Sequence, residues 1–186
     1  MSKKEQLFDT VLRLTATQGL WDTPMSQIAK FANMAVGTIY NHFATKEQLL
    51  SELYIHTQVQ IAHALTPLNE AASYQAQFEQ LFDNGYSFLV SNPFIYKYSM
   101  QVGHAPLLTK PDKQKAKSFF KPFELFFENG INQGAIQPGN AALLAQFSYT
   151  QILALAQTQI EGTLYVTDIM KKQIVDRSWN AIKATS

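Results

Sequence analysis

The chain contains no cysteine, which removes disulfides, thiolate metal sites and cysteine nucleophiles together. Histidine is scarce: His42, His56, His63 and His104 are the only four. Of these, only His56 and His63 can share a helix face. They stand two turns apart and miss the i, i+4 pairing that a helical metal site uses. No glycine-rich loop precedes a helix, and no nucleophile sits in a strand–turn–helix elbow. Nothing therefore asks for an enzyme, a metal or a cofactor. An excess of one charge sign is missing too. Fifteen basic residues face fourteen acidic ones and the pI is near 7.9, so no global basic footprint points to nucleic acid. Within residues 1–50, Lys3, Lys4, Arg13, Lys30 and Lys46 exceed Glu5, Asp9, Asp22 and Glu47 by one. Long apolar runs are absent as well, and MSKKEQLFDT turns amphipathic at once, without the apolar stretch of a signal peptide. A soluble cytoplasmic protein is the expectation. At 186 residues the chain can bury a sizeable helical core and still carry a small accessory domain.

What is present concentrates between Thr23 and Lys46, TPMSQIAKFANMAVGTIYNHFATK. Thr23 reads as an N-cap with Pro24 at the first helical position. Met25, Ile28, Ala29 and Ala32 then repeat at helical spacing. Asn33 falls where that helix should stop, and asparagine tolerates the left-handed backbone of a sharp turn. A second helix is expected from about Val36 to His42, anchored by Ile39 and Phe43. Its outer face would carry Val36, Gly37, Thr38, Tyr40, Asn41 and His42. Gly37 is worse than alanine in a helix by about 1 kcal/mol, so its place on an outer face fits the close approach of another body. Thr45 and Gln48 form a T-x-x-Q capping box for a third helix. Lys46 lies in that helix's first turn, where a cation opposes the dipole unless an anion is shared there. Helices this short are marginal on their own. Presentation of the second one to a DNA groove accounts for them.

The runs Ile28-Ala29, Val36-Gly37-Thr38-Ile39-Tyr40-Asn41-His42-Phe43 and Lys46-Glu47-Gln48-Leu49 resemble the N-terminal domain of the tetracycline-repressor (TetR) family. Gly19 and the helix carrying Leu7, Val11 and Leu14 match that pattern too, so the resemblance covers roughly residues 4–55 in detail. It implies that Thr38, Tyr40, His42 and Lys46 hold phosphates, while Val36, Gly37 and Asn41 lie nearest the base edges. Ala35 belongs to the same interface and departs from the pattern: the family often has serine there, and alanine removes a capping hydroxyl. Asn33 replaces the usual glycine.

Beyond the motif everything reads as helix, with no convincing strand. The expected fold is all-α: a three-helix helix-turn-helix domain (1–48) joined by a long helix to an effector-binding and dimerisation bundle (49–186), about nine helices in all. Lys46 to about Leu65 is one helix. Phe78, Leu81, Phe82, Gly85, Tyr86 and Leu89 form a clean apolar stripe. Phe94 to about Val102 is a short helix and 103–111 a loop. Phe119, Phe120, Phe123, Phe126, Phe127 and Ile131 line another helix, which Pro122 must kink or begin. From Asn129 to Ile160 no residue is charged. Leu143, Phe147, Thr150 and Ala154 occupy one face there, and Tyr149, Ile152, Ala156 and Ile160 another. A helix apolar on two faces is buried on two sides, either as a central core helix or at a subunit interface. A homodimer through the last two helices (about 140–162 and 167–184) is the expectation, and the resemblance implies the same.

The thirteen phenylalanines mostly fall between Phe78 and Phe147. Such a stripe commonly builds core, but here it mixes with rings and amides that have one polar end. Apolar pockets with a few polar atoms are how small-molecule sites look, and the resemblance implies one in this region. Phe82, Tyr86, Tyr98, His104, Phe119, Phe123, Phe147 and Gln151 are the expected effector lining, for a small, largely apolar, aromatic or acyl-bearing compound. Lys110, Lys113, Lys115, Lys117 and Lys121 read as a solvated loop and helix start, or as a cationic rim for a phosphate-bearing ligand. The functional expectation is a ligand-responsive repressor on a palindromic double-stranded DNA operator. Its alternative is a helical ligand- or protein-binding module whose DNA-reading head has decayed.

Overall fold

The computed structural model describes residues 2–66 and 68–185. Ten helices occur among them: α1 Lys3–Gln18, α2 Met25–Phe31, α3 Val36–His42, α4 Lys46–Leu65, α5 Tyr74–Ser91, α6 Pro93–Gly103, α7 Lys110–Ser118, α8 Lys121–Asn132, α9 Ala141–Ile160 and α10 Asp168–Ile182. The fold is all-α, as expected. An isolated antiparallel bridge between Ile136 and Lys183 is the one strand-like pairing among the described residues.

The chain divides into two compact units, residues 1–59 with 92–117 and residues 60–91 with 118–186. The first takes in α6 and α7 besides the N-terminal helices because of what its core contains. Leu7, Val11, Ile28, Ile39, Leu50 and Leu53 pack with Tyr98, Val102, Ala105 and Leu108. Burying a side chain of this size contributes about 1.5–3 kcal/mol each, and a 59-residue stretch alone has little core to spare. In the second unit α9 packs on α5 and α8, with α10 closing against α5. Phe78 is its hub, with rings of Phe82, Phe127 and Trp179 5.6–6.5 Å away. Gly85 lets α5 and α9 approach closely: a Cβ there would stand 2.7 Å from Leu65 Cδ2 and 3.1 Å from Ile152 Cγ2.

Three local expectations are corrected. Thr23 does not cap α2; its buried hydroxyl donates to the Gly19 carbonyl at 2.8 Å, and Pro24 takes the N-cap position. The stretch 103–111 is not all loop, since α7 starts at Lys110. Phe119 and Phe120 do not lie on the helix of Phe123; they form the junction between α7 and α8, and Pro122 sits at the start of α8. An interior proline would have removed a helical hydrogen bond, so the helix begins there instead.

His56, on α4, packs against Phe8 with the ring centroids 5.2 Å apart and the planes tilted by 48°. Its pKa is lowered, first by burial and then by Lys4, with Glu5 opposing. The folded state therefore resists a proton that the unfolded chain accepts near pH 6.5. This share of stability is present above that pH and is lost as pH falls through and below it. Urea midpoints between pH 7.5 and 5 should drop for the native chain and drop less for His56→Gln; equal slopes would remove His56 from the account.

Candidate nucleic-acid interface

The turn that aims α3 is set by backbone chemistry. Asn33 is the only described non-glycine residue with positive φ, at 52°. The amide of Met34 donates to Ala29 O at 2.9 Å and that of Asn33 to Lys30 O at 3.3 Å. This pair is a Schellman motif with asparagine in the left-handed position. Gln6 adds a side-chain bond to Ala32 O at 3.1 Å, which ties α1 to the same corner.

α3 then divides cleanly. Ile39 is fully buried and Phe43, just past its end, nearly so. Ala35, Val36, Gly37, Tyr40, Asn41 and His42 are exposed and Thr38 half-buried. Tyr40 keeps 46% of its surface in solvent. A Cβ built on Gly37 meets nothing within 4 Å, so no contact inside the chain requires glycine there. Ala35 is the N-cap of α3 and makes no side-chain cap bond, which leaves the first amides of the helix open.

At the start of α4, Thr45 accepts from Gln48 N at 3.1 Å and Gln48 Oε1 accepts from Ala44 N at 2.8 Å. The glutamine thus reaches one residue further back than a capping box requires. Lys46 has a partner that the sequence did not reveal. Its ammonium donates to Leu20 O at 3.1 Å, joining α4 to the α1–α2 connection while leaving two protons for another acceptor.

The charge balance also becomes informative once the units are known. The first holds ten basic and six acidic side chains, the second five and eight. The near-neutral total conceals a basic unit that contains α3 and an acidic one that does not.

The expected effector residues do not form one group. Tyr98 is fully buried in the core around α1, α2 and α4, and its hydroxyl donates to Leu50 O at 2.6 Å. His104 is exposed at the end of α6. Both belong to the first unit and not to the unit of the other six. Phe147 is also misplaced as a pocket residue, since half of it faces solvent on α9. In the second unit Phe82 and Phe123 are buried, and Phe119 and Gln151 are half-buried. The Phe123 ring lies 5.4 Å from Phe127 and 6.2 Å from Tyr149. Gln151 accepts a hydrogen bond from the Ser178 hydroxyl. Burial raises the Tyr86 pKa, and the Lys171 ammonium stands 5.5 Å over the Tyr86 ring while bonding Asp83 at 2.9 Å. The Asp83 bond in turn raises the Lys171 pKa.

Comparison with known proteins decides the family. Residues 7–53 match the bacterial regulatory proteins of the tetR family. Residues 73–183 match the tetracyclin repressor-like C-terminal domain, which is more than half of the chain. The chain belongs to the TetR family. An uncharacterized HTH-type transcriptional regulator of Haemophilus influenzae is 27% identical over 181 residues, covering 96% of this chain and 95% of that one. The crystal structure of a TetR-family regulator from the same species superposes with a TM-score of 0.83 at 25% identity, over 97% of this chain and 96% of the other. FadR of Bacillus subtilis, in complex with stearoyl-CoA, shares the fold with a TM-score of 0.77 at 21% identity, over 96% and 98% of the two chains. This TetR-family protein is a transcriptional regulator with an N-terminal DNA-binding domain, and its relatives are regulators rather than enzymes. Among the described residues no helix is long and apolar enough to cross a membrane.

Proposed function

We propose that this TetR-family regulator is a cytoplasmic repressor that holds a palindromic operator until a small, largely apolar effector releases it. One observation carries the DNA interaction. The outer face of α3 is open from Ala35 to His42, and at Gly37 it is open down to the backbone. Thr38, Tyr40, His42 and Lys46 position phosphates, and Val36, Gly37 and Asn41 stand nearest the bases. Backbone contacts of this kind fix register, whereas base-edge contacts supply sequence preference. The functional division at residue 48, with 49–186 serving effector and dimer, is part of the same reading. A titration of operator DNA by fluorescence anisotropy tests it, and Tyr40→Ala should weaken binding alike for every sequence bound.

A second reading, the decayed head, draws on the uncapped start of α3 at Ala35. Salt separates the two: a functional head gives a steep log–log salt slope, a decayed one almost none.

Dimerisation is supported by α9. Ile152 and Ala156 are buried within the unit, but Leu143 and Phe147, on the other face, are 65% and 50% exposed. A long helix with an uncharged, unspent apolar side fits burial against a second copy, and two recognition helices would then reach successive major grooves. Phe147→Glu should convert a dimer to a monomer in light scattering with little change in melting temperature. A dimer that persists would place the interface elsewhere.

The effector proposal narrows to Phe82, Tyr86, Phe119, Phe123 and Gln151, in the second unit. FadR, of the same fold, is in complex with stearoyl-CoA, which supports an acyl-bearing compound for this chain. α4 contributes residues to both units, so an effector that prefers a different α4 position would lower operator affinity by its differential affinity for the two states. Calorimetry with acyl-coenzyme A and aromatic compounds should find micromolar binding; uniform dissociation constants above about 1 mM, weaker than about 4.1 kcal/mol, would sink the effector class.

A further inference from the structure

α7 is a helix that its own sequence does little to explain. In KPDKQKAKS only Ala116 is buried, and a nine-residue helix that is polar nearly all round is unstable in water without support. Support comes from its first turn. Thr109 Oγ1 accepts from Asp112 N at 3.2 Å, and Asp112 Oδ2 accepts from Thr109 N at 3.1 Å and from the Thr109 hydroxyl at 2.6 Å. The Asp112 pKa is lowered, first by the Thr109 hydroxyl and in smaller part by Ser51, which lies on α4 five residues after Lys46, about 7.5 Å along the helix axis.

With Asp112 and Ala116 turned to the unit, the remaining geometry follows from about 100° per residue. Lys110, Lys113 and Lys117 fall within an arc of about 60°, and Asp112 and Ala116 lie about 160° and 120° from Lys110. All three lysines are exposed, and none holds an ion pair among the described residues. Like charges at i, i+3 and i, i+4 oppose the helix, so the stripe is costly to fold and useful only against an anion. Its surroundings choose the anion. These lysines belong to the unit that also contains α3 and Lys46, and they bring much of the basic excess by which that unit differs from the rest of the chain.

We propose that Lys110, Lys113 and Lys117 form a second, sequence-independent contact with the phosphate backbone of the DNA that α3 reads. The inference rests on the DNA-binding reading and adds a helix outside the helix-turn-helix to it. Each phosphate that a protein cation neutralises adds about 0.9 to the magnitude of the salt slope. The full-length chain with K110Q, K113Q and K117Q together is therefore measured against a mixed-sequence duplex several turns long, between about 50 and about 200 mM salt. The expected result is a log–log slope smaller by about 2–3 for each chain bound, the same weakening for every sequence, and a melting temperature that holds or rises. The corresponding triple arginine variant should keep the native slope, since it keeps the charge. A triple glutamine variant with the native slope overturns the proposal and leaves the DNA-binding reading intact. An unchanged slope joined to abolished binding of coenzyme A would overturn it in favour of a small phosphate ligand. If the unsubstituted chain binds no duplex at all, both readings fall.

Discussion

Gly37→Leu should leave the fold at least as stable as the native protein and reduce DNA affinity about a hundredfold or more. The two halves of this result come from one observation, that a Cβ at Gly37 meets nothing within 4 Å. Inside the chain the glycine is only a cost: it gives up roughly 0.8–1 kcal/mol of helix propensity against alanine, and leucine is nearly as good as alanine. The melting temperature should therefore hold or rise. Against a DNA groove the same position is one where the backbone must come close, and a four-carbon side chain would force α3 outward. Disturbing the geometry of even one or two base pairings costs about 1–3 kcal/mol each, and a hundredfold is about 2.8 kcal/mol. Gly37→Ala should show the same two signs with smaller amplitude. Melting curves and anisotropy titrations on the same preparations read both. Native DNA affinity in the leucine variant would mean that the open face of α3 is not the reading face.

Tyr98→Ala should unfold the first unit more easily by about 3–5 kcal/mol, the usual cost of truncating a fully buried ring. Tyr98 has no solvent exposure and sits among α1, α4 and the end of α6. Tyr98→Phe keeps the volume and removes only the hydroxyl that donates to Leu50 O at 2.6 Å. It should cost about 0.5–1.5 kcal/mol, since the carbonyl retains its helical environment. Chemical denaturation separates the two. The pair also distinguishes core from pocket: the phenylalanine variant should bind any effector as the native chain does. A destabilisation below about 1 kcal/mol for Tyr98→Ala, well under the range for buried aromatics, would contradict the placement of α6 in the head's core.

The sequence made the head legible because its signals are local. Asn33 marks a left-handed turn, Ile39 and Phe43 mark one face four residues apart, and Thr45 with Gln48 marks a helix start. Each of these is settled by chemistry within a few residues. Thr23 was ambiguous by the same measure: a threonine hydroxyl can cap the following helix or bond a preceding carbonyl, and in the fold it bonds the Gly19 carbonyl. α7 escaped because a helix of lysines carries no apolar period; its support is the Thr109–Asp112 pair and Ser51, which lies far away in sequence. Tyr98 shows the limit most clearly. In sequence it reads as pocket lining, and only the three-dimensional fold shows the ring buried in the core around α1, α2 and α4. For the same reason the eight effector positions, chosen as a mixture of rings and polar ends, scattered over two units. Phe147 misled in the opposite direction: its face on α9 is apolar and open, which suits a subunit interface better than a pocket.

The central claim is that the exposed face of α3 reads DNA. Its most direct test is the affinity of the purified full-length chain for the DNA immediately upstream of its own coding region, at low and moderate salt, beside Tyr40→Ala. The account predicts tight, steeply salt-dependent binding to a site with two-fold symmetry, clearly weakened in the variant. Binding that ignores salt, or that Tyr40→Ala leaves untouched, would contradict it.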